Sequence, residues 1–161
     1  MVGTFTIVWQ IGLFMMVEDL FFYLAHALFH HPKFYWIHKR HHEYTCTISL
    51  AVEHAHPIEF IMANMIPTGP GYKILSNFYP LHMITILVWI AMRLIESTEG
   101  HSGYEWTFSY TSIFPLGAGP EYHNFHHSNN VGNYASYTII WDTLFGSNEE
   151  YYKFLELKES N

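Results

Sequence analysis

The sequence predicts an all-helical chain embedded in a membrane, and three observations carry that prediction. Only 13% of its residues are charged, against about 25% in soluble domains, and half are hydrophobic. Two stretches, 5–17 and 74–92, carry no formal charge. Thirteen histidines recur at intervals of three and four instead of forming one run, which is the spacing of a helix face. Residues 1–161 read as a single domain, large enough for a real core.

Charge narrows the function classes. A net charge of −7 with histidine neutral makes nucleic acid an unsuitable partner. Cys46 is the only cysteine, so no disulfide forms within the chain, and a reducing face is expected. Met1 to Gln10 holds no Lys or Arg, unlike the charged start of a signal peptide. The chain is therefore expected to be a piece whose earlier part is missing.

The first element is one long helix over about 4–30. Its apolar run is interrupted by Glu18 and Asp19 and ends at His26 and His30, before the breaking pair His31-Pro32. Residues 34–44 predict a short basic, aromatic helix. Lys33, Lys39 and Arg40 supply three of the seven cationic residues, which by the positive-inside rule marks this face as cytosolic.

Residues 57–92 predict a membrane hairpin that turns at Pro67, Gly69, Pro70 and Gly71. Its return arm, 74–92, would be about 28 Å long, close to the hydrocarbon thickness. A hairpin leaves a membrane on the side it entered, so histidines before and after it share one face. A loop over 100–119, a helix over 121–128 and a turn at Gly132-Asn133 follow. An aromatic segment, 134–145, is stopped by Gly146, and 147–161 forms an acidic surface helix or tail.

The chemistry lies in the spacing of the histidines. His38-x-x-His41-His42 is echoed by His123-x-x-His126-His127, and His26 and His30 stand four apart. On helices, each stretch would aim its imidazoles at one point. Neutral imidazole is the commonest nitrogen ligand for iron, zinc, copper and nickel. Eight such ligands exceed one coordination sphere, so two metals are expected. Acids are sparse among the clusters, which favours an all-histidine site over the carboxylate-bridged type. Zinc has no redox chemistry, whereas two irons beside lipid suit oxygen activation on an apolar substrate.

Other residues are weighed individually. His31, His54 and His82 read as hydrogen-bonded structural residues, the last between helices. His101, alone in a loop, either completes a metal shell or caps a turn. His56, beside Pro57, is expected near the site but not as a ligand. Glu18, Asp19 and Asp142 are candidate acceptors for the free N–H of a ligating imidazole, although Glu18 and Asp19 equally fit a solvated kink. Phe21, Phe22, Tyr23, Phe34, Tyr35 and Trp36 fit core, membrane interface or a substrate channel. A metal transporter or zinc-binding membrane protein is the competing class. It would place histidines and acids inside spanning helices, and here the clusters fall at helix ends.

The three histidine boxes resemble those of the fatty acid hydroxylase / sterol desaturase superfamily of membrane di-iron enzymes. Further stretches are similar to the C-4 methylsterol monooxygenases: Glu18-Asp19, Glu53-His54-Ala55-His56-Pro57-Ile58-Glu59, Arg93-Leu94-Ile95-Glu96, His101-Ser102-Gly103-Tyr104, Gly132-Asn133-Tyr134-Ala135-Ser136 and Trp141-Asp142-Thr143-Leu144-Phe145-Gly146. The resemblance covers about 8–147. Ala27 departs from it, standing where the family usually has Arg.

The resemblance implies stepwise O2-dependent oxidation of a sterol C-4 methyl group in the endoplasmic reticulum membrane, by a multi-pass protein with its metal site on the cytosolic face. It implies two irons, with zinc as the metal that purified material can carry. Electrons would come from NAD(P)H through a reductase and a small b-type cytochrome. It implies nine ligands: His26, His30, His38, His41, His42, His101, His123, His126 and His127. A related sterol desaturase, a fatty acid or lipid hydroxylase, and an inactive truncated metal-binding protein remain the alternatives.

Overall fold

This computed structural model describes residues 3–109, 111 and 116–160. Every regular element among them is helical, and the only β pairing is an isolated antiparallel bridge between Gly117 and Thr138. Part of the expected 100–119 loop lies outside the described residues; Gly100 still belongs to the preceding helix, and 101–109 is irregular.

Helix α1, Thr4–Phe29, matches the expected first element. It ends where His31 meets Pro32, because a residue before proline is pushed out of the helical region. Its 26 residues make a rod of about 39 Å, and it is the one described helix long and apolar enough to cross a membrane.

The expected basic helix over 34–44 is shorter and broken. Helix α2 covers only Tyr35–His38, and a turn leads into a 3-10 segment, His41–Glu43. Another 3-10 segment, Ser49–Glu53, follows. Helix α3, Pro57–Glu59, runs through a π-helical turn, Phe60–Met65, into α4, Ile66–Phe78. Helix α5 is Met83–Gly100.

The hairpin therefore turns elsewhere than the sequence suggests. Pro67 falls at the junction of the π-helical turn with α4, and Pro70 stays within the helix. The break comes at Tyr79, held extended (φ −143°, ψ 143°) ahead of Pro80. This splits the uncharged 74–92 run between two helices of 13 and 18 residues, each below the roughly 20 a full span needs.

The three long helices form an up-down-up bundle. α4 runs antiparallel to α1: Ala63 packs near Phe29, and Leu75 packs with Ile11 and Phe14. Gly71 lets the two approach, since a Cβ there would lie 3.0 Å from the Phe14 ring. α5 runs alongside α1 in the same sense. The Thr85 hydroxyl donates to Gln10 (3.3 Å), Trp89 stacks on Phe14 (5.0 Å) and the Trp89 indole donates to Glu18 (3.0 Å). The outer faces stay apolar, with Val8, Leu24, Ile66, Leu87, Ile90 and Leu94 exposed. The C-terminal end of α1, the start of α3 and the C-terminal end of α5 thus meet at one end of the bundle.

The remaining helices close that end. These are α6, Pro120–Asn129, α7, Ile140–Phe145, and α8, Glu149–Glu159. The expected aromatic segment is helical only from Ile140, because the amides of residues 134–138 donate to Asp19 and Asp142 and not to helix carbonyls. Gly146 (φ +72°) ends α7 as expected, and Gly132 and Asn133 form a left-handed turn.

Candidate metal centre

Nine histidines converge at the closed end of the bundle, in two groups. One group is His26, His30, His38, His42 and His126, and the other is His41, His101, His123 and His127. Within each group one nitrogen from every ring lies within 4.8 Å of all the others.

The division differs from the simple expectation that each box aims at one point. His38 and His42, four apart, enter the five-ring group, while His41 enters the four-ring group. In α6 the pattern is exchanged: His123 and His127, four apart, enter the four-ring group, while His126 enters the other. Residues at i and i+4 lie nearly one above the other, whereas i+3 falls on the other side of that line. Each box therefore straddles both groups and fixes their separation.

Several rings are oriented through Nδ1. Nδ1 of His26 donates to the Tyr134 carbonyl (2.8 Å), that of His101 to Ser97 (2.8 Å), that of His126 to Gly132 (2.5 Å) and that of His127 to Tyr44 (3.0 Å). His38 donates to the Glu59 carboxylate at 2.7 Å. A neutral imidazole has one N–H, so in these five rings Nε2 is left as a bare lone pair.

The Nε2 atoms face one another. Those of His26 and His38 are 3.0 Å apart, and those of His38 and His42 are also 3.0 Å apart. In the second group the spacings are 3.1 Å (His41 to His101), 2.9 Å (His101 to His123) and 3.1 Å (His123 to His127). Nε2 of His30 and of His126 is buried without a partner. For His26 and His38 no proton lies between the two lone pairs, so their contact is not a hydrogen bond. Two lone pairs this close in a dry interior call for a shared cation.

Protonation does not supply that cation. Burial and the neighbouring rings hold His38, His41, His123 and His126 well below the ordinary imidazole value, and burial takes His42 and His101 down to about 4. The donor set is neutral, convergent and imidazole-only, which fits two transition-metal ions.

Between the centre and the bundle lies a cavity of about 40 Å3, with room for a few water-sized molecules. Both groups border it through His26, His38, His41, His101 and His123, and Phe22, Phe29, Asn64, Arg93, Glu96 and Ser136 border it from the bundle.

The residues expected to brace the ligands directly lie elsewhere. Glu18 accepts from Trp89, Tyr137 and Arg93 and touches no histidine. Asp19 and Asp142 bind backbone amides, since both face the 134–138 segment and not a ring. His56 caps α3, accepting from the Ile58 N–H. His31 and His82 are exposed, His82 in the turn between α4 and α5, and His54 pairs with Glu43 (2.8 Å). His101 sits at the C-terminal cap of α5 with its ring in the four-ring group, so it does both things considered for it.

Glu59 is the direct carboxylate partner that the sequence reading did not pick out. It is 21 positions from His38, and no local spacing links the two. The four carbonyl acceptors are backbone groups and leave no trace in residue identity.

Fold and site together define a helical protein with a buried histidine centre able to hold two metal ions. The chain belongs to the fatty acid hydroxylase family, whose model matches residues 11–147. It is 36% identical to the C-4 methylsterol oxidase of Schizosaccharomyces pombe, covering 91% of this chain and 49% of that protein. It is also 36% identical to methylsterol monooxygenase 1 of Rattus norvegicus, over 88% of this chain and 47% of that protein. A putative methylsterol monooxygenase of Dictyostelium discoideum is 37% identical over 91% of this chain and 54% of its own length. The chain thus spans about half the length of the curated relatives it matches. No solved structure matches it significantly.

Proposed function

We propose that this chain carries the metal centre of a membrane di-iron monooxygenase that oxidises the C-4 methyl group of a sterol precursor. The observation that carries the reading is the pair of facing Nε2 atoms of His26 and His38, each deprived of its proton by an acceptor on the other side of the ring. The nine convergent histidines are the proposed ligands. The names of the similar proteins supply the substrate class.

Two bound irons would supply the O2-activating redox chemistry that side chains lack. The chain's own residues do the rest. Backbone carbonyls and Glu59 lock ring tautomers, so that every oriented Nε2 faces inward. Burial keeps the imidazoles neutral and excludes bulk water. Phe22 and Phe29 give the cavity an apolar side, and Arg93, Glu96 and Ser136 give it a polar one.

In the same reading residues 1–161 act as one domain and α1 crosses the endoplasmic reticulum membrane. The α4–α5 hairpin enters it only partly in a multi-pass arrangement, with the metal centre on the cytosolic side. Exposed Lys33, Lys39 and Arg40 beside the histidine end accord with that orientation. The electrons come from NAD(P)H through a reductase and a b-type cytochrome.

The test uses one detergent-purified preparation. Iron and zinc are counted per chain, then 4,4-dimethylsterol, O2 and reduced b-type cytochrome are supplied. About two irons with C-4-oxidised products support the reading. Two metals without such products, but with turnover of another lipid, redirect it to a hydroxylase or desaturase. Absence of bound metal overturns it.

A further inference from the structure

Five consecutive backbone amides are held by two buried aspartates. Asp142 accepts from the N–H of Tyr134 through Oδ1 (2.8 Å) and of Ala135 through Oδ2 (2.9 Å). Asp19 accepts from the N–H of Ser136 and Tyr137 through Oδ1 (both 2.9 Å). Its Oδ2 accepts from the Thr138 N–H (3.1 Å) and hydroxyl (2.8 Å). Both carboxylates are fully buried. Taking a carboxylate out of water costs several kcal/mol, so such an arrangement persists only where charge-assisted hydrogen bonds offset it. The two residues come from α1 and α7, yet between them they satisfy every backbone donor from Tyr134 to Thr138.

Two carbonyls of this stretch face histidines, that of Tyr134 in the clamped run and that of Gly132 just before it, while the Tyr137 carbonyl accepts from the Ala118 N–H. Tyr134 accepts from His26 and Gly132 from His126. Both of these rings belong to the five-ring group. In the four-ring group, His101 and His127 bond to the carbonyls of Ser97 and Tyr44, both outside the strap. The strap therefore bears on one metal position and not on the other.

We propose that Asp19 and Asp142 are positioning residues for the metal of the five-histidine group, acting through the 132–138 strap on the rings of His26 and His126. This rests on reading the two groups as a two-metal centre. A purely structural clamp would stabilise both positions alike, whereas a positioning clamp distinguishes them.

Asp142→Asn and Asp19→Asn separate these cases. An amide keeps the shape but turns one acceptor into a donor, and at either aspartate both oxygens already face N–H groups, so neither flip of the amide fits. The full chain is purified in detergent, challenged with a chelator, and its metal counted alongside helical circular dichroism. The expected result is loss of about one of two bound metals with helicity retained. Adding His41→Ala should then remove the remaining metal, and adding His42→Ala should not. Thr138→Val, which deletes the hydroxyl bond to Asp19 and the long 3.4 Å bond that the hydroxyl accepts from the Ile140 N–H, should give a smaller acceleration of the same single-metal loss. Variants that hold both metals as tightly as the parent overturn the proposal, as does loss of both metals in step with helicity. A parent chain holding no metal overturns the two-metal reading as well, and so is told apart from these.

Discussion

Glu59 accepts a 2.7 Å hydrogen bond from Nδ1 of His38, and among the described residues it is the only carboxylate bonded directly to a ring of either histidine group. The bond fixes the His38 tautomer and makes its Nε2 more basic, and that Nε2 stands 3.0 Å from both His26 and His42. Partners of this kind typically change metal affinity by about 10–100-fold. Glu59→Gln keeps an acceptor but removes the ionisable carboxyl, which burial pushes up to about 8. It should weaken retention of one metal about tenfold, read by competition with a chelator, and leave the other unchanged. Equal weakening of both would show that Glu59 does not act through His38.

Adjacent histidines should behave differently when removed. His41 belongs to a group of four and His42 to a group of five. His42→Ala leaves four imidazoles, still a complete tetrahedral set, whereas His41→Ala leaves three. Metal content should therefore fall to about one per chain in His41→Ala and stay near two in His42→Ala. Identical losses in the two variants would mean that both boxes serve a single shared site.

Much of this architecture was legible in the sequence. The limits of α1 follow from an apolar run ended by His31-Pro32, and the nine histidines follow from spacing together with family likeness. The division between groups was not legible. In each box the i and i+4 rings enter one group and the i+3 ring the other, and which group receives which ring is set by how α1, α6 and the 35–43 segment meet. Pro67 and Pro70 suggested a hairpin turn because proline breaks helices, yet the helical path from Pro57 to Phe78 runs through both, with a π-helical turn just before Pro67. Asp19 and Asp142 were candidate acceptors for an imidazole N–H, with a solvated kink an equal reading for Asp19. That they grip a backbone strap instead of a ring is a tertiary fact, since the pairing spans up to 119 positions.

Acid should destabilise the metal-free protein in a defined window. An imidazole in the unfolded chain titrates near 6.5, while burial takes His42 and His101 to about 4. Between these values the unfolded state binds more protons than the folded one, so falling pH favours unfolding. Stability should be intact above about pH 6.5 and decline toward pH 4, each ring contributing about 1.4 kcal/mol per unit across its window. Thermal denaturation of the metal-stripped protein at half-unit steps would read this. A melting temperature flat from pH 7 to pH 4 would contradict buried neutral imidazoles.

The bundle beneath the centre holds a second polar device. Arg93 pairs with Glu18 (3.2 Å) and with Glu96, and the Ser136 hydroxyl donates to Glu96 (2.7 Å). Glu18 and Glu96 are 2% and 4% exposed, so each depends on its partners for the solvation water would give. Arg93→Met keeps most of the bulk and removes the cation, leaving two carboxylates facing each other in an apolar interior. Breaking one side of such a buried set typically costs about 3–5 kcal/mol, whereas replacing the whole set with neutral groups is often close to harmless. Arg93→Met should therefore lower the melting temperature sharply, and Arg93→Met with Glu18→Gln and Glu96→Gln should recover most of the loss. Failure of the triple variant to recover would mean that the guanidinium contributes through its stacking over Phe22 and Tyr137, at 5.4 and 5.6 Å, more than through its charge.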